Sequence, residues 1–525
     1  MRKIYITLVI LLAAMFTMAY LYFTKLNKET SSHEISLYAA TANSGLVFSL
    51  QNDKSVFDIL KGQELFEKLM GKTKFSQFAL LKTKLTASPA VNKLITGSNI
   101  FIGFSAGKNK EIDYLISTQF NEEQEKPLLL EALKSSGIKL TPDQGIMKLV
   151  LNDSTSFYLG LEKNLILLSD AAAPVKFALE AVSKQHPQEF LTYIKAHHKH
   201  TRNSLANLYI DFSRLPVLLK SVLPGTLNGN LDVLNKQQAF ASLTYNFSKE
   251  RLFFTGNTQL NDQKNYLSLF TEQKPQKSTL DNLLPDNTAN FKLYAIPDYK
   301  SWKKGLGNWF ALHKEDIKIN KLIKDTEREY HLNPEEIFPQ YFKDQLISFQ
   351  LKTGENLAAI NLSNGDKVEQ LLLDLSVDYN QDVKAFKKAG LLYAYFGEPF
   401  RKFSKPYYII FDNYMVFANQ PSSLQDFMNS YQHDKLLVST PDYIDLFSQI
   451  SNTSSVTYYI NDQNSVDLVR KAIYRPYYNH FIAADGWSKF RSFIYQLSGD
   501  QGTFQTNLLI NTAPVVIADE DLTNK

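Results

Sequence analysis

The stretch Asn164-Leu165-Ile166-Leu167-Leu168 returns in kind as Asn413-Tyr414-Met415-Val416-Phe417, 249 positions later. Each copy is a short apolar run followed by a segment of helical spacing. Val175, Ala178, Leu179 and Val182 stand at i, i+3, i+4 and i+7 after the first, and Leu424, Phe427, Met428 and Tyr431 take the same places after the second. Each reads as a buried strand, a turn and an amphipathic helix packed back on it. A period this long belongs to a duplicated domain rather than a solenoid. A chain built this way must reach one architecture twice.

The correspondence extends in both directions. Ser36-Leu37-Tyr38-Ala39 and Lys292-Leu293-Tyr294-Ala295 read as entry strands. Val56 to Met70 reads as a helix stopped by Gly71, and Trp302 to Phe310 with Ile317 to Tyr330 as helices of the second copy. Asn333-Pro334-Glu335-Glu336 is a cap, a first-turn proline and acids favoured by the helix dipole. Ile100, Ile102 and Phe104 alternate as Ile347, Phe349 and Leu351 do, and Leu128-Leu129-Leu130-Glu131 answers Leu371-Leu372-Leu373-Asp374. Tyr209-Ile210-Asp211 matches Tyr459-Ile460-Asn461, and Tyr245-Asn246-Phe247-Ser248 matches Tyr495-Gln496-Leu497-Ser498. Strict alternation through Ala241, Leu243, Tyr245 and Phe247 points to antiparallel sheet with one wet face. Ser498 to Gly502 then closes a hairpin onto Phe504, Thr506, Leu508 and Ile510. The domain plan is 1–26 as membrane anchor or signal peptide, 27–34 as linker and 35–262 as the first copy. It continues with 263–285 as a second linker, 286–512 as the second copy and 513–525 as a disordered acidic tail carrying Asp519-Glu520-Asp521.

Composition removes several classes. The chain of 525 residues has no cysteine, which excludes disulfides, thiolate metal sites, cysteine nucleophiles and a lipidated cysteine. A net charge of +4 gives no electrostatic footprint for nucleic acid. Arg2-Lys3 precedes an uncharged, mostly apolar run from Ile4 to Phe23, including Leu8, Leu11, Leu12 and Phe16. Its length and flanking charge predict a transmembrane helix with the remainder exported. The competing reading is a signal peptide cleaved near Thr17-Met18-Ala19, against which Tyr20 to Phe23 continue the apolar run.

Four motifs resemble chemistry. Gly103-Phe104-Ser105-Ala106-Gly107 fits the nucleophile elbow, which requires a strand, a sharp turn and a helix. Here a polar turn, Lys108 to Glu111, leads into another strand-like run, so the expectation is a hairpin. Gly71-Lys72-Thr73 resembles the end of a phosphate loop, yet Phe66 stands where that loop needs glycine. His197, His198 and His200 carry imidazoles at adjacent positions that point apart, among cations, so a solvated basic end is expected and no metal site. The acid pairs Glu122-Glu123 and Glu335-Glu336 fall at helix starts. No catalytic constellation, metal site or cofactor is expected.

The copies differ most between 221–237 and 471–487. Leu223-Pro224-Gly225-Thr226-Leu227-Asn228-Gly229-Asn230 is a plain loop. Its counterpart runs Ile473-Tyr474-Arg475-Pro476-Tyr477-Tyr478-Asn479-His480-Phe481. Aromatic rings beside an arginine favour interfaces, so Tyr474, Arg475, Tyr477, Tyr478 and Phe481 are the candidate partner-binding residues. The alternative is that these rings cover a sheet edge or pack on the first copy.

Three features resemble an uncharacterised bacterial family, domain of unknown function 3352. They are Leu293-Tyr294-Ala295, the passage from Leu332-Asn333-Pro334-Glu335-Glu336 to Phe342-Lys343-Asp344-Gln345-Leu346, and Asn413-Tyr414-Met415-Val416-Phe417-Ala418. The resemblance spans most of 35–512. It implies a membrane-anchored or exported envelope protein and supplies no catalytic residues. The expected fold is α+β, an N-terminal transmembrane helix followed by two tandem similar domains of mainly antiparallel sheet with packed helices. The expected function is a non-enzymatic membrane-anchored envelope protein, single-pass in the bacterial inner membrane. Its exported periplasmic two-copy domain would serve as a protein-binding or scaffolding module. The alternative is a carrier or sensor of an apolar ligand such as lipid, and an enzyme comes third. The expected partners are the lipid bilayer through the N-terminal helix and an envelope protein or apolar ligand, with no nucleic acid.

Overall fold

The computed structural model describes residues 34–51, 72–86, 94, 98–120, 125–197, 206–225, 237–246, 248, 251–483 and 486–512. By compactness the described chain divides into two units. Residues 34–51, 73–197 and 206–209 form the first, and residues 210–512 the second.

The first unit holds β1 (Leu46–Gln51), β2 (Asn99–Ala106), β3 (Ile112–Gln119), β4 (Lys139–Asp143), β5 (Ile146–Val150), β6 (Ser156–Glu162), β7 (Leu165–Ser169) and β8 (Ala206–Asp211). Their pairing order is β8–β1–β2–β3–β7–β6–β5–β4. Alternation along β3 and β7 sends side chains to both faces. Tyr114, Ile166 and Leu168 join the helices Lys72–Thr86 and Lys126–Ser135 on one face. Leu115, Leu165 and Leu167 join the helices Glu34–Thr41 and Ala172–Lys184 on the other.

The second unit adds β9 (Ala239–Asn246), β10 (Arg251–Leu260), the two-residue β11 (Gln276–Lys277), β12 (Thr288–Ala295), β13 (Phe342–Leu351), β14 (Asn356–Leu362), β15 (Ser376–Asp378), β16 (Lys384–Phe386), β17 (Tyr407–Phe411) and β18 (Tyr414–Ala418). The two-residue β19 (Thr453–Ser454), β20 (Val456–Asn461), β21 (Phe490–Asp500) and β22 (Thr503–Thr512) complete it. β11 pairs with β19. The main sheet runs β9–β10–β22–β21–β20–β12–β13–β14–β18–β17–β16–β15, antiparallel throughout. Its last eight strands, from β20, repeat the order of the first unit element for element. One face carries Trp302, Leu306, Trp309 and Phe310 of the helix Tyr299–Leu312. The other carries Leu424 and Phe427 of the helix Pro421–Gln432.

Several readings change on contact with the structure. Ser36 to Ala39 lies in a helix, not a strand, and the place equivalent to β12 is taken by β1. Four residues are too few to separate the two periods, and Ser36, Ala39 and Ala40 are small enough to pack a helix close on the sheet. Residues 263–285, polar enough to read as a linker, carry Tyr266, Leu267, Phe270, Leu280, Leu283 and Leu284 into the cores of the second unit. β9 and β10 belong to the second unit, where β10 pairs with β22. Of the eight helix positions matched between copies, Val175, Ala178, Val182, Leu424 and Phe427 are buried, whereas Leu179, Met428 and Tyr431 are half-buried.

The membrane expectation is corrected. Among the described residues no helix is long and apolar enough to cross a membrane. The helices Lys72–Thr86 and Asp316–Tyr330 have 15 residues each, or about 22 Å against a hydrocarbon core of about 30 Å. The fold is therefore a mixed α+β architecture on large antiparallel sheets, with no spanning helix among the described residues. The membrane-anchored envelope function, the bilayer as partner and the single-pass inner-membrane placement lose their support with it. Ile4, Leu8, Leu11, Leu12, Phe16 and Phe23, which carried that expectation, lie outside the described residues. So do the helix 56–70, Gly71, Glu122, Glu123, His198, His200, the loop 226–230 and the tail 513–525.

Candidate functional site

Two places in the second unit concentrate aromatic and charged side chains. The first is the segment singled out in the sequence. Asn461 caps the helix Asp462–Ala472, its side chain accepting from the Asn464 N–H. Ile473 then breaks the helix, and the Tyr474 N–H donates to the Val222 carbonyl at 2.8 Å. Pro476 opens a second helix, Arg475–Ile482, of which no residue is buried. Arg475 is exposed, and Tyr474, Tyr477, Tyr478 and Phe481 are half-exposed. The chain then turns back at Gly486, where a Cβ would lie 2.1 Å from the His480 carbonyl oxygen. The Ser488 hydroxyl donates to the Ala483 carbonyl at 2.7 Å. This fold-back stacks rings in series, Phe481 to Trp487 at 6.5 Å and Trp487 to Phe490 at 6.1 Å. Lys471, Arg475 and Lys489 are exposed around them, with Ile482. The structure thus brings Arg475, Tyr477, Tyr478 and Phe481 onto one short helix with Tyr474 at its N-cap, and adds Trp487 and Ile482, which the sequence reading missed. A tryptophan six residues past Phe481 was the available signal.

The second place was not legible. Between β16 and β17 the second unit carries about 20 residues, where β5 and β6 of the first are joined by a short loop. This insertion forms the helix Leu391–Phe396, ended by Gly397 at φ 69. The last carbonyls of a helix have no partner within it. Here each finds one: Tyr393 takes the Gly397 N–H, Ala394 takes Lys303 Nζ at 2.8 Å, Tyr395 takes the Tyr299 hydroxyl at 3.0 Å and Phe396 takes the Tyr266 hydroxyl at 2.6 Å. Lys303 Nζ also stands 4.6 Å from the centre of the Tyr395 ring, whose hydroxyl donates to Glu335 at 2.9 Å. Burial lowers the Lys303 amine to about 8, against the pull of Glu335. An amine so poised is a nucleophile in other settings. In this one the amine, as the cation, donates to the Ala394 carbonyl and closes a helix C-terminus, where the dipole favours it.

On the outer side Arg401 binds Glu398 at 2.7 Å and Glu315 at 3.4 Å and lies over the Tyr393 ring at 4.4 Å. The Tyr393 hydroxyl donates to Glu315. Burial raises the Glu315 carboxyl, but Tyr393 and Arg401 outweigh it and hold the group below its ordinary value. Tyr299 and Lys303 fix the insertion to the helix Tyr299–Leu312, and Tyr266, Glu315 and Glu335 fix it to the segments around them.

The remaining motifs resolve simply. Ser105 lies on β2, cross-strand from Asp113, and the chain passes through a short turn into β3. The hairpin excludes the strand–helix elbow. His197 ends the helix Glu189–His197, Nδ1 within 2.9 Å of the Tyr193 carbonyl oxygen. Among the described residues no three metal-ligating side chains converge.

Comparison with curated proteins and with solved structures gives no match to this chain. A family match exists and is narrower than the span 35–512 that the resemblance suggested. Of the three features behind that resemblance, Asn413 to Ala418 falls inside it and the two earlier ones fall outside. The matched segment runs from the end of β13, through the insertion, to Arg475. Residues 351–475 match the family described as protein of unknown function (DUF3352), and the likeness to that family holds for that part of the chain.

Proposed function

We propose that this protein is a non-catalytic binding protein that engages a protein partner through the helix Arg475–Ile482 and the fold-back to Trp487. The observation that carries the reading is a helix without one buried residue, bearing three aromatic rings and an arginine, in a unit that otherwise packs its rings densely. Aromatic side chains left half-exposed forgo burial worth about 1 kcal/mol each, which a partner would recover. Exposed Lys471, Arg475 and Lys489 fit a partner face rimmed by carboxylates.

The test is photo-crosslinking from position 478 with benzoylphenylalanine in the full chain, in the producing cell. The expected result is one discrete protein adduct, lost on Arg475→Glu and retained when the probe chain carries Lys300→Glu instead. An absent adduct from a folded probe chain, or an adduct indifferent to Arg475→Glu, overturns the reading.

A further inference from the structure

The helix Asp316–Tyr330 turns Ile319 and Thr326 inward and leaves the opposite face to solvent. Along that face Ile317, Lys321, Lys324 and Arg328 stand at i, i+4, i+7 and i+11, so they form one narrow stripe. Ile317 is 79% exposed, and Leu312, across the turn, is 46% exposed. Lys318 borders the stripe, and Lys314 stands in the left-handed turn before it at φ 60. Arg328 pairs with Asp325 at 3.0 Å, whereas Lys318, Lys321 and Lys324 join no ion pair among the described residues.

Two local preferences are broken together here. Lys318 stands in the first turn of the helix, where the macrodipole disfavours cations, after the acids Glu315 at the N-cap and Asp316. A β-branched aliphatic side chain is spent on water beside it. Ile317 forgoes burial within the unit, and departures from local preference gather where a surface is used.

We propose that this stripe is a docking surface for an acidic segment of another protein that carries an aliphatic side chain. The segment's carboxylates meet Lys321 and Lys324, and its aliphatic group covers Ile317. The stripe is one helix face wide, and Asp316 and Glu327 line one flank. A continuous anionic surface would meet those acids as well as the lysines. A single acidic strand or helix passes beside them, so charge complementarity selects a peptide segment over a lipid surface. This surface is separate from the helix Arg475–Ile482 and does not depend on its role.

The experiment uses the full chain and fluorescence polarisation of a labelled peptide alternating glutamate and leucine, with phosphatidylglycerol vesicles in parallel. The peptide is expected to bind, more weakly as salt rises from about 0.05 M to about 0.3 M, and about tenfold more weakly to Lys321→Glu/Lys324→Glu. Ile317→Ser is expected to weaken binding while leaving the salt dependence unchanged, and Tyr477→Ser/Tyr478→Ser to bind as the parent does. Lys321→Gln/Lys324→Gln serves if the reversal disturbs folding, with an intermediate loss expected. Equal binding to parent and lysine variants, loss confined to the tyrosine variant, or binding to vesicles without binding to peptide each overturns the proposal.

Discussion

A Cβ added to Gly103 would lie 2.6 Å from the carbonyl oxygen of Ala40 and 2.2 Å from Ser44 Oγ. The first glycine of the Gly-x-Ser-x-Gly run is therefore required by the helix Glu34–Thr41 crossing the sheet at that point. Gly103→Ala is expected to destabilise the first unit by about 1–3 kcal/mol through overpacking. Ser105→Ala should stay within about 1 kcal/mol of the parent. Urea unfolding of both variants checks this, and the reverse ranking would return interest to the serine.

The Lys303 amine contributes a pH signature. Between its folded value of about 8 and its ordinary 10.5, the folded chain binds fewer protons at this site than the unfolded chain. Stability from this group therefore rises with pH across that window and is lowest below it. Lys303→Met loses the window. The stability of the parent relative to that variant should grow between pH 8 and pH 10 by an amount on the order of 1 kcal/mol. Unfolding free energies at pH 7, 8.5 and 10 measure it, and a flat difference would contradict the burial described.

Asp462 works in the opposite sense. Burial raises its carboxyl to about 7, with Arg491 opposing. The register that sets Asn461 opposite Ser492 carries Asp462 toward Arg491. From ordinary carboxylate values up to about 7 the folded chain binds the extra proton, so stability falls as pH rises through that range. Asp462→Asn is expected to raise the melting temperature at pH 8 and leave it nearly unchanged at pH 5. Thermal melts at the two values decide it.

The paired helices give a contrast of burial. Phe427 is fully buried and Met428, its neighbour, is half-buried. Phe427→Ala should cost about 3–5 kcal/mol, whereas Met428→Ala, already wet on one side, should cost about 1 kcal/mol. Calorimetry of the two variants separates them.

The strands around Ile166 and Met415 were legible because an apolar run followed by a 3.6-residue period has one cheap solution, and it occurs twice. Strand alternation in Ala241 to Asn246 was legible for the same reason. Ser36 to Ala39 was misread because a four-residue match in composition does not fix a period. Tyr266 and Phe270 were hidden among polar neighbours, and what buries them is a distant element, the helix Tyr299–Leu312. The capping of the helix Leu391–Phe396 was illegible in principle: its donors, Tyr266, Tyr299 and Lys303, share no local pattern with the carbonyls they satisfy. On the candidate binding helix, the identity of the rings was readable, while their half-exposure required the fold.

That capped helix has a kinetic consequence. Six residues are far below the length at which an isolated helix persists in water. The three side chains that complete its last turn come from 91, 96 and 130 residues earlier in the chain. Its amides therefore acquire protection only when the helix Tyr299–Leu312 and the segment around Tyr266 are both in place. In hydrogen exchange, residues 391–396 should open with the unit as a whole rather than fray alone, making the insertion a reporter of completed folding.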